Sequence, residues 1–170
     1  SVTGNHLTIG ELILPSPGLP YVNGSITAGG KATTTAEVAG NTLTINNINL
    51  IGNAYAGEGK ASVFNNIVVM NGGSVQGELH GGHAESMVQQ TGTDKPIENT
   101  VRMSGGTVTG ALYGAYSVTD GATHGKVELT NTGGTIYGTV KAGADGIAIA
   151  GGRGKTSANN NDVVIERGRV

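Results

Sequence analysis

At 170 residues the chain has the length of one domain, and 31 glycines with only 4 prolines exclude collagen, in which Gly fills every third position beside abundant Pro. Charged residues are 13% with a net charge of −2, which excludes a charge-rich disordered chain, and no basic patch interleaved with Tyr or Phe points to a nucleic-acid partner. Cys is absent, so disulfides and thiolate metal sites are excluded, and the apolar share of 36%, mostly Val, Ile, Leu and Ala, suits a long narrow core better than a wide one.

The chain opens with SVTGNHLTIG, which has neither the basic start nor the apolar run of a signal peptide. No later stretch reaches the roughly 18 apolar residues of a membrane span, so no membrane insertion of this segment is expected. Leu7 and Ile9 alternate with polar residues as in a short strand, but Pro15, Pro17 and Pro20 interrupt the alternation beyond them. Residues 1–38 are therefore expected to be an atypical first rung or cap, with repeats over 39–170. From Asn41, NTLTINNINLIGNAYAG alternates again, led by Leu43 and Ile45 and ending near Tyr55. NIVVMNGGSVQGELHGGH from Asn66 and NTVRMSGGTVTGALYGAY from Asn99 match at a constant offset of 33. Val68 falls on Val101, Met70 on Met103, Val75 on Val108 and Leu79 on Leu112, while His80 and His83 take the places of Tyr113 and Tyr116. In VELTNTGGTIYGTVKAGA, Val127 and Leu129 lead, Ile136 follows the Gly pair, and Gly138 and Val140 continue the pattern. The last piece, NDVVIERGRV, puts Val163 and Ile165 in register and stops within a unit.

The leading apolar residues are spaced 36, 25, 33, 26 and 36 apart, so the motif is fixed and the spacer varies. Such a pattern predicts one stacked unit per repeat, with variable loops at 83–98, 116–125 and 142–160. Within a unit the apolar period is two, and Gly recurs too often for a stable helix. The expected fold is all-β, a β-solenoid of about five to six rungs, forming a single segment over 1–170 that is part of a longer chain. Its core ladder is expected to comprise Leu7, Leu43, Ile45, Val68, Met70, Val75, Val101, Met103, Val108, Leu112, Val127, Leu129, Ile136, Val163 and Ile165. Gly106, Gly110 and Gly114 are read as corners needing positive φ, and Asn41, Asn66, Asn99 and Asn161 as a stacked amide ladder.

GNTLTI, from Gly40 to Ile45, and SGGTVTGALYGAYS, from Ser104 to Ser117, resemble the Gly- and Asn-rich repeats of Gram-negative autotransporter and adhesin-like surface proteins. Their usual unit runs close to NTVTISGGTVxGxVYGGYS. The resemblance covers about residues 39–170 and is clearest from 65 to 145. It implies a right-handed parallel β-helix passenger with three short strands per rung, displayed at the cell surface, with binding on its faces or loops.

His80 and His83, three apart with Glu78 and Glu85 beside them, are the sharpest local cluster. They are a weak Zn or Cu candidate, because they replace two tyrosines of the rung; no metal and no cofactor is expected. Asp120-Gly121 and Asp145-Gly146 read as solvated turns. Glu78, Glu128 and Glu166 stand at non-equivalent places in their units, which argues against a catalytic carboxylate pair. No G-x-S-x-G elbow occurs, and GGRGKT, from Gly151 to Thr156, lacks the spacing of a phosphate loop and reads as a flexible spacer. Tyr55, Tyr113, Tyr116 and Tyr137 either contact a ligand or cover the edge of the core. The expected role is a non-catalytic extracellular module: a rigid rod that displays loops for attachment or stacks end to end into fibres. Its partners would be further copies of itself, or a host or bacterial surface protein or glycan. A polysaccharide lyase or glycosidase on the same scaffold is the alternative.

Overall fold

The computed structural model describes residues 1–11, 18–86, 98–119, 122–123, 125–129, 135–136, 149–155, 158–159 and 162–166. Among the described residues the protein is all-β, without a helix, and all paired strands run parallel. The first passage contributes β1 (Val2–Thr3), β2 (His6–Ile9), β3 (Tyr21–Asn23) and β4 (Ile26–Thr27), and the second β5 (Val38–Ala39), β6 (Thr42–Ile45), β7 (Ile48–Ile51) and β8 (Ala54–Gly59). The third adds β9 (Val63–Phe64), β10 (Ile67–Met70), β11 (Gly73–Val75) and β12 (Leu79–Ala84). Then follow β13 (Asn99–Met103), β14 (Thr107–Val108), β15 (Leu112–Ser117), β16 (Ala122–Thr123), β17 (Gly125–Leu129) and β18 (Thr135–Ile136). The described strands end with β19 (Ile149–Arg153), β20 (Ala158–Asn159) and β21 (Asp162–Ile165).

Strands at the same place in successive repeats pair with one another. The first sheet orders β2-β6-β10-β13-β17-β21, the second β3-β7-β11-β14-β18 and the third β4-β8-β12-β15-β19. Leu7, Leu43, Val68, Val101, Val127 and Val163 are register partners in one file, and Ile9, Ile45, Met70, Met103, Leu129 and Ile165 in another. The second sheet aligns Val22, Leu50, Val75, Val108 and Ile136, and the third Ile26, Ala54, Leu79, Leu112 and Ile149. Because side chains alternate along a strand, the members of these files from Leu7 to Val127, Ile9 to Met103, Val22 to Val108 and Ile26 to Ile149 face one cluster. Leu43, Ile45, Leu50, Val68, Met70, Val75, Leu79, Val101, Met103, Val108, Leu112 and Val127 are fully buried there, each worth about 1.5–3 kcal/mol by burial. Leu7 packs against the cluster but is only half-buried. Val163 and Ile165 keep the register yet are 47% and 50% exposed, since no described strand covers β21. Leu129 and Ile136 keep the register of their strands, and their own side chains fall outside the described residues.

Several expectations are corrected. Five of the six repeats carry an additional short strand among the described residues: β1, β5 and β9 pair in one corner sheet and β16 and β20 in another, while the equivalent place before Val101 lies outside the described residues. Their first residues, Val2, Val38, Val63, Ala122 and Ala158, each stand five positions before a leading apolar residue. Two residues are too few to show a period, which is why the pattern hides them. The prolines do not end the pattern: Val22 and Ile26 take the places of Leu50 and Ala54 despite Pro20, whose carbonyl accepts from the Asn49 N–H at 2.8 Å. Ile149, not Val140, aligns with Leu112 in the third sheet. Residues 83–84, 116–117, 122–123 and 149–153, expected in loops, are strand, so GGRGKT begins in β19 and is no flexible spacer at Gly151–Arg153. Val140, Asp120-Gly121 and Asp145-Gly146 lie outside the described residues.

Two constraints, a positive φ and a close backbone approach, call for glycine at the bends. Gly73 and Gly106 turn with φ of +87° and +94°, a conformation that favours Gly. Gly110 and Gly114 have no positive φ; instead, a Cβ there would run into the backbone of Gly77 and of Lys126.

Asparagine amides form a ladder at the corner before the first sheet. Asn5 Nδ2 donates to Asn41 Oδ1 at 2.8 Å, Asn41 Nδ2 to Asn66 Oδ1 at 2.9 Å and Asn66 Nδ2 to Asn99 Oδ1 at 3.0 Å. The same oxygens accept the backbone N–H of Asn5, Asn41 and Asn66, and the second amide hydrogens reach the carbonyls of Val2, Val38 and Val63. Asn161 lies outside the described residues. A small second cluster, of Ala32, Val38, Val63, Ala84 and Ala115, is separate from the main core.

Candidate functional site

Among the described residues, a dense group of ring and charged side chains lies on the side of the third sheet opposite the aliphatic core. Leu79 and Leu112 point into the core, so the next residues, His80 and Tyr113, point away from it. Register places Thr27, Tyr55, His80, Tyr113 and Ala150 in one file, and Glu58, His83, Tyr116 and Arg153 in a second. Lys31 bridges to Glu58 at the end of the second file.

The rings occupy one another's faces. Tyr55 stacks on His80 with centroids 4.8 Å apart, and His83 on Tyr116 at 5.1 Å. His80 and His83 meet edge to face at 5.2 Å, and Tyr113 lies tilted against both His80 and Tyr116. The Arg153 guanidinium covers the Tyr113 and Tyr116 rings, and its Nη1 donates to the Tyr113 hydroxyl at 3.1 Å. Parallel in-register strands impose this arrangement, because equivalent side chains repeat about 4.8 Å apart, near ring-stacking distance. His80 is 1% exposed and Tyr113 2%, whereas Tyr55 and Tyr116 are partly exposed. Tyr137 lies outside the described residues.

Charges flank the rings. Glu78 Oε2 lies 2.9 Å from His80 Nε2, and this hydrogen bond holds the Glu78 carboxyl below its usual range. Burial keeps the His80 imidazole neutral below its ordinary pKa, and burial together with His80 pushes His83 down to about 4. Burial also raises the Tyr55 and Tyr113 hydroxyls. Lys31 Nζ sits 3.0 Å from Glu58 and 3.8 Å from Glu85, and the Glu58 bond raises the lysine.

His80 and His83 come together, but among the described residues no three His, Cys, Asp or Glu side chains are grouped to hold a metal ion. The carboxylates considered for catalysis are dispersed. Glu78 precedes β12 of the third sheet, Glu128 sits in β17 of the first, and Glu166 follows β21. Glu128 is held between Lys126 Nζ and Arg102 Nε, each at 2.8 Å, and the Lys126 hydrogen bond leads the lowering of its pKa. Glu58 and Arg153 were missed as members of the strip. Their signal was the third-strand pattern AYAGEG, LHGGHA, LYGAYS and IAGGRG, whose second and fifth residues share the ring side.

No family model, no curated protein and no solved structure matches the chain.

Proposed function

We propose that the chain is a stretch of right-handed β-solenoid serving as a non-catalytic structural and adhesive module outside the cell. The observation that carries this reading is the unbroken register of parallel files in three sheets around one aliphatic cluster. A chain that returns to the same sheets in the same order, buries its aliphatics between neighbouring passages and satisfies its corners with an amide ladder is suited to bearing load along its axis. The right-handed preference of crossovers between parallel strands favours that coil hand. Its resemblance to autotransporter and adhesin-like repeats adds the surface location. The ring strip supports attachment over catalysis: its faces are mutually covered, and its carboxylates Glu58 and Glu78 are paired with Lys31 and His80. Hydroxyl and charged edges are left to meet a protein or glycan. Stacking on a second copy through the edges of β2 and β21 belongs to the same reading.

The test is retention of chain-coated beads on glycan and cell-surface protein arrays, alongside a polysaccharide degradation screen and light scattering across a concentration series. Retention that weakens on replacing Tyr55 and Tyr116 with Ala, or mass growth with concentration, supports the module. Release of unsaturated or reducing sugar ends by the purified chain would make it an enzyme instead.

A further inference from the structure

The ring strip contains a feature that attachment does not need: two neighbouring buried imidazoles. Glu78 is a carboxylate that only accepts, so the proton of neutral His80 sits on Nε2, facing it at 2.9 Å, and Nδ1 is a bare acceptor. That Nδ1 and the Nδ1 of His83 are both buried without a hydrogen-bond partner. A proton arriving at His80 Nδ1 brings a charge and a donor into a space walled by rings, and protonation of His83 puts a charge beside an Nδ1 that has no hydrogen-bond partner. The nearest relief for His83 is Glu58 Oε1 at 3.9 Å, an oxygen already 3.0 Å from Lys31.

The groups facing the pair come from every neighbouring strand. β8 contributes Tyr55 and Glu58, β15 contributes Tyr113 and Tyr116, and β19 contributes Arg153. Glu78 precedes the pair, and Lys31 reaches Glu58 and Glu85 from the other end. Glu78 and Glu58 favour a proton on the imidazoles, while Lys31, Arg153 and the second imidazole oppose it. Burial adds to the opposition and outweighs the carboxylates.

We infer that His80 and His83 form an acid-sensitive latch: proton uptake drives the imidazoles out of the strip and uncovers the ring faces of Tyr55, Tyr113 and Tyr116. The aliphatic face of the same strands is untouched, so the sheets remain paired while the ring surface changes. Above the ordinary histidine pKa of 6.5 both closed and open forms are neutral, and the closed form keeps its full stability. As pH falls below 6.5 the open form takes protons first, and the closed form weakens until His83 itself protonates at about 4. For His83 alone the full interval shifts the equilibrium on the order of 10²-fold, about 30-fold of it by pH 5. Glu78, whose pKa is lowered from 4.5, contributes only below that value, which separates the two effects by pH.

The experiment follows the full chain from pH 7.5 to 5 by tyrosine near-ultraviolet circular dichroism, far-ultraviolet circular dichroism and NMR titration of the histidine ring protons. The latch gives a reversible loss of the tyrosine signal with the strand signal unchanged, and apparent pKa values for both histidines below 6.5. The variant His80→Tyr/His83→Tyr, which copies Tyr113 and Tyr116, abolishes the step. An equal step in that variant, histidines titrating at or above 6.5, or a tyrosine signal constant to pH 5 would each overturn the inference. If the variant does not fold, the wild-type titration decides alone.

Discussion

Asn66 shows how much a single side chain settles in this molecule. Its Oδ1 accepts from the backbone and side chain of Asn41, while its Nδ2 serves Val38 O, Phe64 O and Asn99 Oδ1. Replacing Asn66 with Ala leaves several of these groups buried and unpaired, and should cost about 2–4 kcal/mol in urea unfolding. The ladder also dictates what lies across from it. A Cβ on Gly57 would meet the Asn66 amide at 2.5 Å, and Gly82 faces Asn99 in the same way. In the next repeat Gly125 aligns with Asn99, and a Cβ on it would run into the Gly151 carbonyl and the backbone of Ala115, the residue that aligns with Gly82. Asparagine against glycine has become glycine against alanine. Gly57→Ala alone should therefore be destabilising, and Asn66→Gly/Gly57→Ala should be less so than the sum of the single changes, as measured by a double-mutant cycle. A sum that is strictly additive would show that the two positions do not share space. Asn41, Asn66 and Asn99 were legible from their recurrence at the first strands, whereas Asn5, which heads the ladder, was not read as a member. The glycine partners were not legible either, because the separation along the chain changes from 9 residues for Gly57–Asn66 to 17 for Gly82–Asn99.

At the scale of the strand, the two sides of one element carry unequal weight. Leu43 of β6 is fully buried between Leu7 and Val68, and Leu43→Ala should cost about 2–4 kcal/mol through lost burial and the cavity left behind. Arg102 of β13 is on the outer side, 46% exposed and paired to Glu128, so Arg102→Ala should change stability by about 1 kcal/mol or less. Equal effects in chemical denaturation would contradict the assignment of faces. Alternation made the faces of the first strands readable, since a period of two in V-x-M or L-x-I admits one inward side. Third strands were harder to read. Val140 satisfies the local Gly-x-Val spacing, but Ile149 precedes Gly151-Gly152 as Leu79 precedes Gly81-Gly82, and pairing with β15 selects it. Local spacing cannot weigh one candidate against another when only the neighbouring strand supplies the hydrogen bonds.

Across the whole molecule, coupling should decay with the number of strands between two sites. Leu43 and Val68 are adjacent partners, whereas Leu43 and Val127 are three strand spacings, about 14 Å, apart. Leu43→Ala and Val127→Ala should add within about 0.5 kcal/mol, while Leu43→Ala and Val68→Ala should not, because they share one cavity. Strong coupling of the distant pair would mean that the core is not built file by file. By itself the sequence determined that the chain is all-β, which residues lead each repeat and that asparagines mark the corner, because alternation and a recurring motif are local properties of the chain. Only the tertiary structure decided the corner strands, the third strand at Ile149 and the ring strip that joins Glu58, His83, Tyr116 and Arg153. Those depend on which residues come to lie about 4.8 Å apart in adjacent passages, and spacers of changing length conceal that neighbourhood from any reading along the chain.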